Sequence, residues 1–334
     1  MLNRHKVLGA WLAVLLAIPS SSAWTAERLR VVGTWDRNFY SIEILRAWIT
    51  EFRRSEAAKT VGIRLRFLGG PEVTPAPEQM TAVRNGVFDM MFGAAGYYLG
   101  RVPEGAVLYA SEFGPTEARE RGALDVLDQI YQERAGVKLL AWLGGEVGYH
   151  LWTIDKPSFG PDGMPDLTGL KIRSSPLYED WLRSLGATPV SIEASGLYTA
   201  LDRGVVTGAA WPGMGIQDIG FHTLVNYRVG PPVWRFDNIL VIDLDRWNAL
   251  SPEQQDTLAD AALAFERRFP AALEKHAAEE EAAITEADIE RIRLEGIAAQ
   301  RYREAAAEVH WQDIEEKAPE NYKRLRRAFM AQGD

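Results

Sequence analysis

The 334-residue chain contains no cysteine. That excludes disulfides, thiolate metal sites and cysteine nucleophiles, together with the lipid attachment that tethers bacterial lipoproteins. Histidine is scarce: beyond His5 there are only His150, His222, His276 and His310, at no spacing that suggests a metal site. The chain has no Gly-x-Ser-x-Gly elbow, no His-Glu-x-x-His, no phosphate loop and no dinucleotide fingerprint. The enzymatic reading left open is a hydrolase whose serine triad is dispersed along the chain. Long basic runs are also missing, and with a net charge of −9 the acidic balance argues against nucleic acid and anionic membranes as partners. A small anionic ligand remains compatible, because one buried arginine can override the mean field locally.

Only one stretch is apolar enough to engage a membrane. Residues 1–23 carry basic Arg4 and Lys6, an apolar run from Val7 to Ile18, and small Ser21 and Ala23 at a cleavage point. This is the pattern of a secretory signal peptide, too short for a full span. A cut after Ala26 is the alternative, disfavoured by Trp24. Removal of Arg4 and Lys6 takes the net charge from −9 to −11. The rest, with 47% hydrophobic and 25% charged residues over the chain, can bury one large or two smaller cores.

The stretch from Asp166 to Trp211 alternates extended and helical signals. It predicts a strand over Leu170–Arg173, a helix over Leu177–Leu185 opened by Pro176, a strand over Thr188–Ile192, a helix capped by Ser195, and a further apolar run at Val205 and Val206. Upstream, strands are expected over Leu29–Gly33, Ile63–Phe67, Val87–Phe92 and Val137–Leu143, with helices over Ile42–Phe52, Met80–Asn85 and Ala118–Arg134. Such alternation argues for an α/β fold with mostly parallel sheets, in which ligand-facing residues gather at the carboxyl ends of strands. A strand at Asn238–Ile242 precedes a long helix started by Ser251 and Pro252, with Leu258, Ala262, Phe265, Phe269, Ala272 and His276 along one face, and Pro270 expected to kink it. Glu279–Glu281 reads as a solvated face.

The ordered segments LTGLKIR, LGATPV and LYTALDRGVV, then Gly208–Pro212, resemble the substrate-binding proteins of TRAP (tripartite ATP-independent periplasmic) transporters; GYYLGRVP and DRWNALSPEQQ extend the likeness over most of the chain. The resemblance implies a two-lobed periplasmic binding protein fold with a long C-terminal helix spanning both lobes. Lobe I would take residues 27–148 and 238–275, and lobe II 149–237 and 276–330. It further implies capture of a small organic carboxylate in the periplasm, delivery to a small and a large integral membrane subunit, and closure of the lobes on the ligand. The alternatives are a periplasmic sensor, a binding module of another transporter, and the hydrolase.

By the same likeness, Arg173 is the residue that grips the ligand carboxylate, a task suited to a rigid, permanently charged fork. Trp211 replaces the asparagine of many members and points to the subgroup that binds 2-oxo and 2-hydroxy acids. In that subgroup a glutamate just before the tryptophan helps hold a metal; here it is Ala210, so neither metal nor cofactor is expected. Trp35, Tyr97, Tyr98, Trp152 and Trp234 are expected to turn aromatic surface toward the cleft, Tyr198 to hydrogen-bond the ligand or the back of Arg173, and His150 to supply a second polar contact. A dicarboxylate would need another cation, such as Arg235 or Arg203, so a monocarboxylate is preferred.

Overall fold

Two sheets organise residues 27–331, the part of the chain described by a computed structural model. The expected signal peptide lies outside these residues. The strands are β1 (Glu27–Gly33), β2 (Ile63–Gly69), β3 (Met90–Gly93), β4 (Val137–Trp142), β5 (Tyr149–Thr153), β6 (Ser158–Phe159), β7 (Pro165–Asp166), β8 (Lys171–Ser174), β9 (Thr188–Ser191), β10 (Gly208–Pro212), β11 (Tyr227–Val233), β12 (Ile239–Asp243) and β13 (Glu290–Arg293). The first sheet has the order β2-β1-β3-β12-β4 and the second β13-β11-β5-β10-β8-β9, while β6 and β7 pair separately.

The opening strand–helix alternation gives three parallel strands, β2-β1-β3. The sheets as wholes are mixed rather than mostly parallel. β12 runs antiparallel to β3 and β4, and β5 antiparallel to β10 and β11. These strands flank the two short passages between sheets, at residues 143–148 and 234–238; the long helix after β12 makes a third, leading to β13.

Several expected elements are redrawn by local turn chemistry. The helix over Ala118–Arg134 is two, Pro115–Glu120 and Ala123–Ala135, because Gly122 sits at φ 73° between them. Pro176 does not open a helix: Pro176–Tyr178 form a turn, and the helix is Glu179–Ser184. Ser195 lies inside a 3-10 turn, leaving the helix Leu197–Asp202 without a side-chain cap. Val205 is exposed and the strand begins only at Gly208, just as the strand expected from Val87 begins at Met90.

The long helix, Pro252–Glu286, starts where expected, with Ser251 and Gln254 forming a capping box, and runs through Pro270. Its first half docks on the first sheet: Phe265 stacks on Trp48 at 4.8 Å, and buried Glu266 takes two 2.7 Å bonds from Arg119 and one from the Trp142 N–H. Its second half meets the second sheet's side of the molecule, and the expected solvated face holds there only in part: Glu279 and Glu281 are exposed, Glu280 is not. Buried Glu280 accepts the Gly215 N–H at 2.9 Å, and Glu281 pairs with Arg228 and Arg291. A run of acids was read as hydrated because its partners lie far away in sequence.

Candidate functional site

Strand ends from both sheets converge on one chamber. The loops after β1 and β3 bring Trp35, Ala94, Gly96 and Tyr97; the ends of β8 and β10 bring Arg173, Ser175, Trp211 and Pro212; and Tyr109, Tyr149, Leu177 and Tyr178 close it. Carboxyl strand ends are where such sites are expected. The two sides meet closely at Gly96, where a Cβ would lie 3.0 Å from both the Leu177 Cβ and the Tyr109 hydroxyl. In this closed form the cavity is about 20 Å³, room for about one water molecule.

Sheet register places the charge. Arg173 pairs with Ala209, Ala209 with Trp152, and Trp152 with Arg228, so one cross-strand row carries both arginines, three strands apart. Trp211, two residues beyond Ala209, shares that face, and the Arg173 guanidinium lies 5.0 Å from its ring. Arg173 is 1% exposed. Its Nε donates to the Ile192 carbonyl at 2.8 Å, its Nη2 has no partner, and no carboxylate among the described residues lies within ion-pair distance. A buried charge left this way costs several kcal/mol on the order of magnitude, unless something pairs with it. The phenols of Tyr97 and Tyr178 face the guanidinium: burial dominates and raises both pKa values, while Arg173 pulls them down.

The remaining walls are rigid. Trp35 stacks on Phe39 at 4.9 Å, meets Trp211 edge-on at 5.9 Å, and donates from Nε1 to the Asn238 Oδ1 at 3.3 Å. Behind Tyr109 and Tyr149 sits fully buried Asp237, which accepts the Ala95 N–H at 2.9 Å and the Tyr149 hydroxyl at 3.4 Å. Burial raises its carboxyl to about 6, against the opposing pull of the Tyr109, Ala95 and Tyr149 donors.

Of the residues singled out in the sequence, Arg173, Trp211, Trp35 and Tyr97 line the chamber. The other five do not. Tyr98 turns inward and donates to the Ala76 carbonyl at 2.9 Å. Trp152 is buried within the sheet with Nε1 bonded to the Trp211 carbonyl. Trp234, at φ 52°, stands behind Tyr178 and donates to the Ala306 carbonyl at 2.7 Å. Tyr198 is 41% exposed and packs at Gly220. His150 alternates away from Tyr149 along β5 and lines a separate cavity with Arg228 and Arg291; burial first, then Arg228, lowers its pKa to about 4, so it is neutral near pH 7. Arg235, paired with Glu146, and exposed Arg203 do not line the chamber either.

Tyr109, Tyr149, Tyr178 and Asp237 were missed. For Tyr149 a signal existed, since it is the immediate neighbour of His150, itself a candidate. Tyr178 was hidden by reading its turn as helix. Among the described residues no group of three or more histidine or acidic side chains could hold a metal ion, and no helix is long and apolar enough to cross a membrane.

Two mixed sheets, a helix laid across both and an aromatic chamber with an unpaired arginine between them are the architecture of the two-lobed binding-protein fold. The chain belongs to bacterial extracellular solute-binding protein family 7 (DctP), whose model matches residues 62–317. That is a family of transport proteins, not of enzymes. A monocarboxylate 2-oxoacid-binding periplasmic protein of Nostoc sp. is 24% identical over 58% of this chain and 54% of its own length, and the ectoine-binding periplasmic protein TeaA of Halomonas elongata 23% identical over 57% of each. An uncharacterized protein of Haemophilus influenzae is 28% identical over 41% of this chain and 40% of its own. The chain thus matches about half the length of these curated relatives. A TRAP periplasmic solute-binding protein of Desulfovibrio salexigens with bound orotic acid superposes with TM-score 0.78 at 16% identity, covering 90% of this chain and 97% of that one. DctP7 of Bordetella pertussis, which binds pyroglutamic acid, superposes with TM-score 0.77 at 16% identity, covering 91% and 99%.

Proposed function

We propose that this protein captures a small organic monocarboxylate in the periplasm, with Arg173 as its anchor, and delivers it to the small and large membrane subunits of a TRAP transporter. The observation that carries the reading is the state of Arg173: a buried guanidinium with a free Nη2 and no protein carboxylate, aimed among aromatic rings. A ligand carboxylate supplies the missing charge through a fork-on-fork pair, typically worth roughly 1.5 to 3 kcal/mol net. Trp35, Trp211, Tyr97 and Tyr178 then measure the rest of the molecule. No second cation lines the chamber, which favours one carboxylate over two. The described donors and the position of Ala210, whose methyl offers no oxygen ligand, favour metal-free binding of a 2-oxo, 2-hydroxy or aromatic acid.

The chamber is too small for such a ligand without movement. Membership of the two sheets supports a division at 148/149 and 237/238, with the chamber between the resulting lobes. The lobes part to admit the acid and close on it, because a ligand touching both stabilises the closed state.

A thermal-shift screen of the mature protein against aliphatic and aromatic 2-oxo and 2-hydroxy acids, dicarboxylates and neutral controls tests this. Ligand at about a hundred times its Kd stabilises by roughly 2.7 kcal/mol, a rise of several degrees at this size. The reading requires shifts confined to monocarboxylates and absent in Arg173→Ala; a shift from neutral solutes alone would defeat it.

A further inference from the structure

A cluster of six arginines lies away from the chamber and has the sign opposite to the chain's net charge of −9. On the helix Tyr40–Arg54, Arg46, Thr50 and Arg53 fall at i, i+4 and i+7, one stripe of the surface. On β2, Arg64 and Arg66 alternate with buried Ile63 and Leu65, and register sets Arg28 beside Arg64. Arg37, from the loop after β1, lies 5.5 Å from the Phe67 ring. Between stripe and strand runs an open groove of about 380 Å³ lined by all six arginines.

All six are exposed, and among the described residues none is within ion-pair distance of a carboxylate. Their neighbours differ: Arg30, Arg246 and Arg268 pair with Asp89, Glu27 and Glu51. Six like charges held together repel one another, and a patch opposed to the mean charge of its own chain complements a surface of the other sign.

The backbone narrows the occupant. β2 is an edge strand, so its outer N–H and C=O groups have no strand partner in the sheet. Such an edge is a template for an added strand. A second copy is disfavoured there, because two arginine-bearing edges repel. A flat bilayer surface would meet the rim of a groove rather than its floor. An extended segment with acidic residues at alternate positions answers both features: its main chain pairs with β2, and its carboxylates, about 7 Å apart, match the period-two spacing of Arg64 and Arg66.

We infer that the groove between the helix Tyr40–Arg54 and the free edge of β2 docks an extended acidic segment of a protein partner. This does not rest on the carboxylate reading of the chamber and survives its failure.

The test uses the full mature protein and a labelled peptide of about nine residues alternating glutamate and valine. Its glutamine counterpart, a version N-methylated at alternate backbone positions, and phosphatidylglycerol vesicles are run beside it. The glutamate peptide binds at low salt and is released at about 0.5 M salt, where screening shortens the reach of exposed charges. The Arg64→Glu/Arg66→Glu double variant loses about tenfold or more in affinity, with melting temperature and any carboxylate-induced shift unchanged. The glutamine and N-methylated peptides bind at least as weakly as the double variant does. Equal binding by the double variant or by the glutamine peptide overturns the proposal, as does vesicle binding without peptide binding. Equal binding of the N-methylated peptide removes its strand-pairing half.

Discussion

Arg173 and Arg228 stand in the same cross-strand row, both buried, at 1% and 8% exposure, and both near a tryptophan ring, at 5.0 and 5.6 Å. Arg228 has a carboxylate, Glu281; Arg173 has none. A mirror contrast stands on the long helix. Glu281 is engaged by two arginines, which hold its pKa below the usual value against the upward push of burial, whereas adjacent Glu280 meets only N–H groups, and burial drives it up to about 7. Burial alone therefore marks neither function nor structure. What separates the two arginines is whether the chain supplies the counter-charge or leaves it to be supplied.

Exchange of readouts breaks or sharpens that contrast. Arg173→Ala should cost about 2 to 4 kcal/mol of carboxylate affinity, because the pair is lost and the ligand charge is left under-compensated. Its melting temperature without ligand should not fall, since an uncompensated buried charge has been removed. Arg173→Lys should weaken binding as well, for want of the fork. Affinity within about threefold of wild type, by calorimetry, would show that Arg173 is not the anchor and collapse the comparison.

Glu280 extends the contrast to pH. Its carboxyl titrates near 7 folded and near 4.5 unfolded, so between these values the folded protein holds the proton more tightly. Stability from this group is fully present below about pH 4.5 and falls as pH rises through 7, by at most roughly 3 kcal/mol. Asp237 acts in the same direction, whereas His150 and His310, whose pKa values burial lowers to about 4 and about 3, act in the opposite one. The informative quantity is therefore the difference between wild type and Glu280→Gln in melting temperature across pH 4.5 to 7.5 or so. It should grow in the variant's favour toward high pH; a pH-independent difference would mean that the carboxyl is ionised throughout.

Arg228→Ala should do the reverse of Arg173→Ala. Half-exposed Glu281 keeps Arg291 as a partner, so the loss is expected at about 1 to 2 kcal/mol of stability in denaturant melts, below the usual figure for a broken buried pair. Carboxylate affinity should stay unchanged. A loss of affinity without a loss of stability would place Arg228 in the binding machinery and erase the distinction.

These contrasts mark where sequence reading succeeds and where it stops. The helix start at Ser251, the opening strands and the chamber's Arg173, Trp211, Trp35 and Tyr97 are set by local patterns or by a chain of ordered motifs, so they are legible. Tyr149 and His150 are equally aromatic neighbours on one strand, yet Tyr149 lines the chamber and His150 a separate cavity, a difference set by tertiary packing. Glu280 and Glu281 look alike in a run of acids, while their partners Gly215, Arg228 and Arg291 come from distant elements. Counter-charge is a tertiary property, and composition does not encode it.

The smallest expected effect tests the chamber's boundary. Tyr198 lies in the LYTAL segment that carries much of the family likeness, yet its side chain is 41% exposed, beside Gly220 and outside the chamber. Loss of a solvent-facing hydroxyl there removes no buried hydrogen bond, so Tyr198→Phe should leave carboxylate affinity within about twofold and stability within about 0.5 kcal/mol. A tenfold loss of affinity would require the helix Leu197–Asp202 to turn toward Arg173 when ligand is bound. The site would then be built partly by closure, and the four chamber residues legible in the sequence would be fewer than those that hold the ligand.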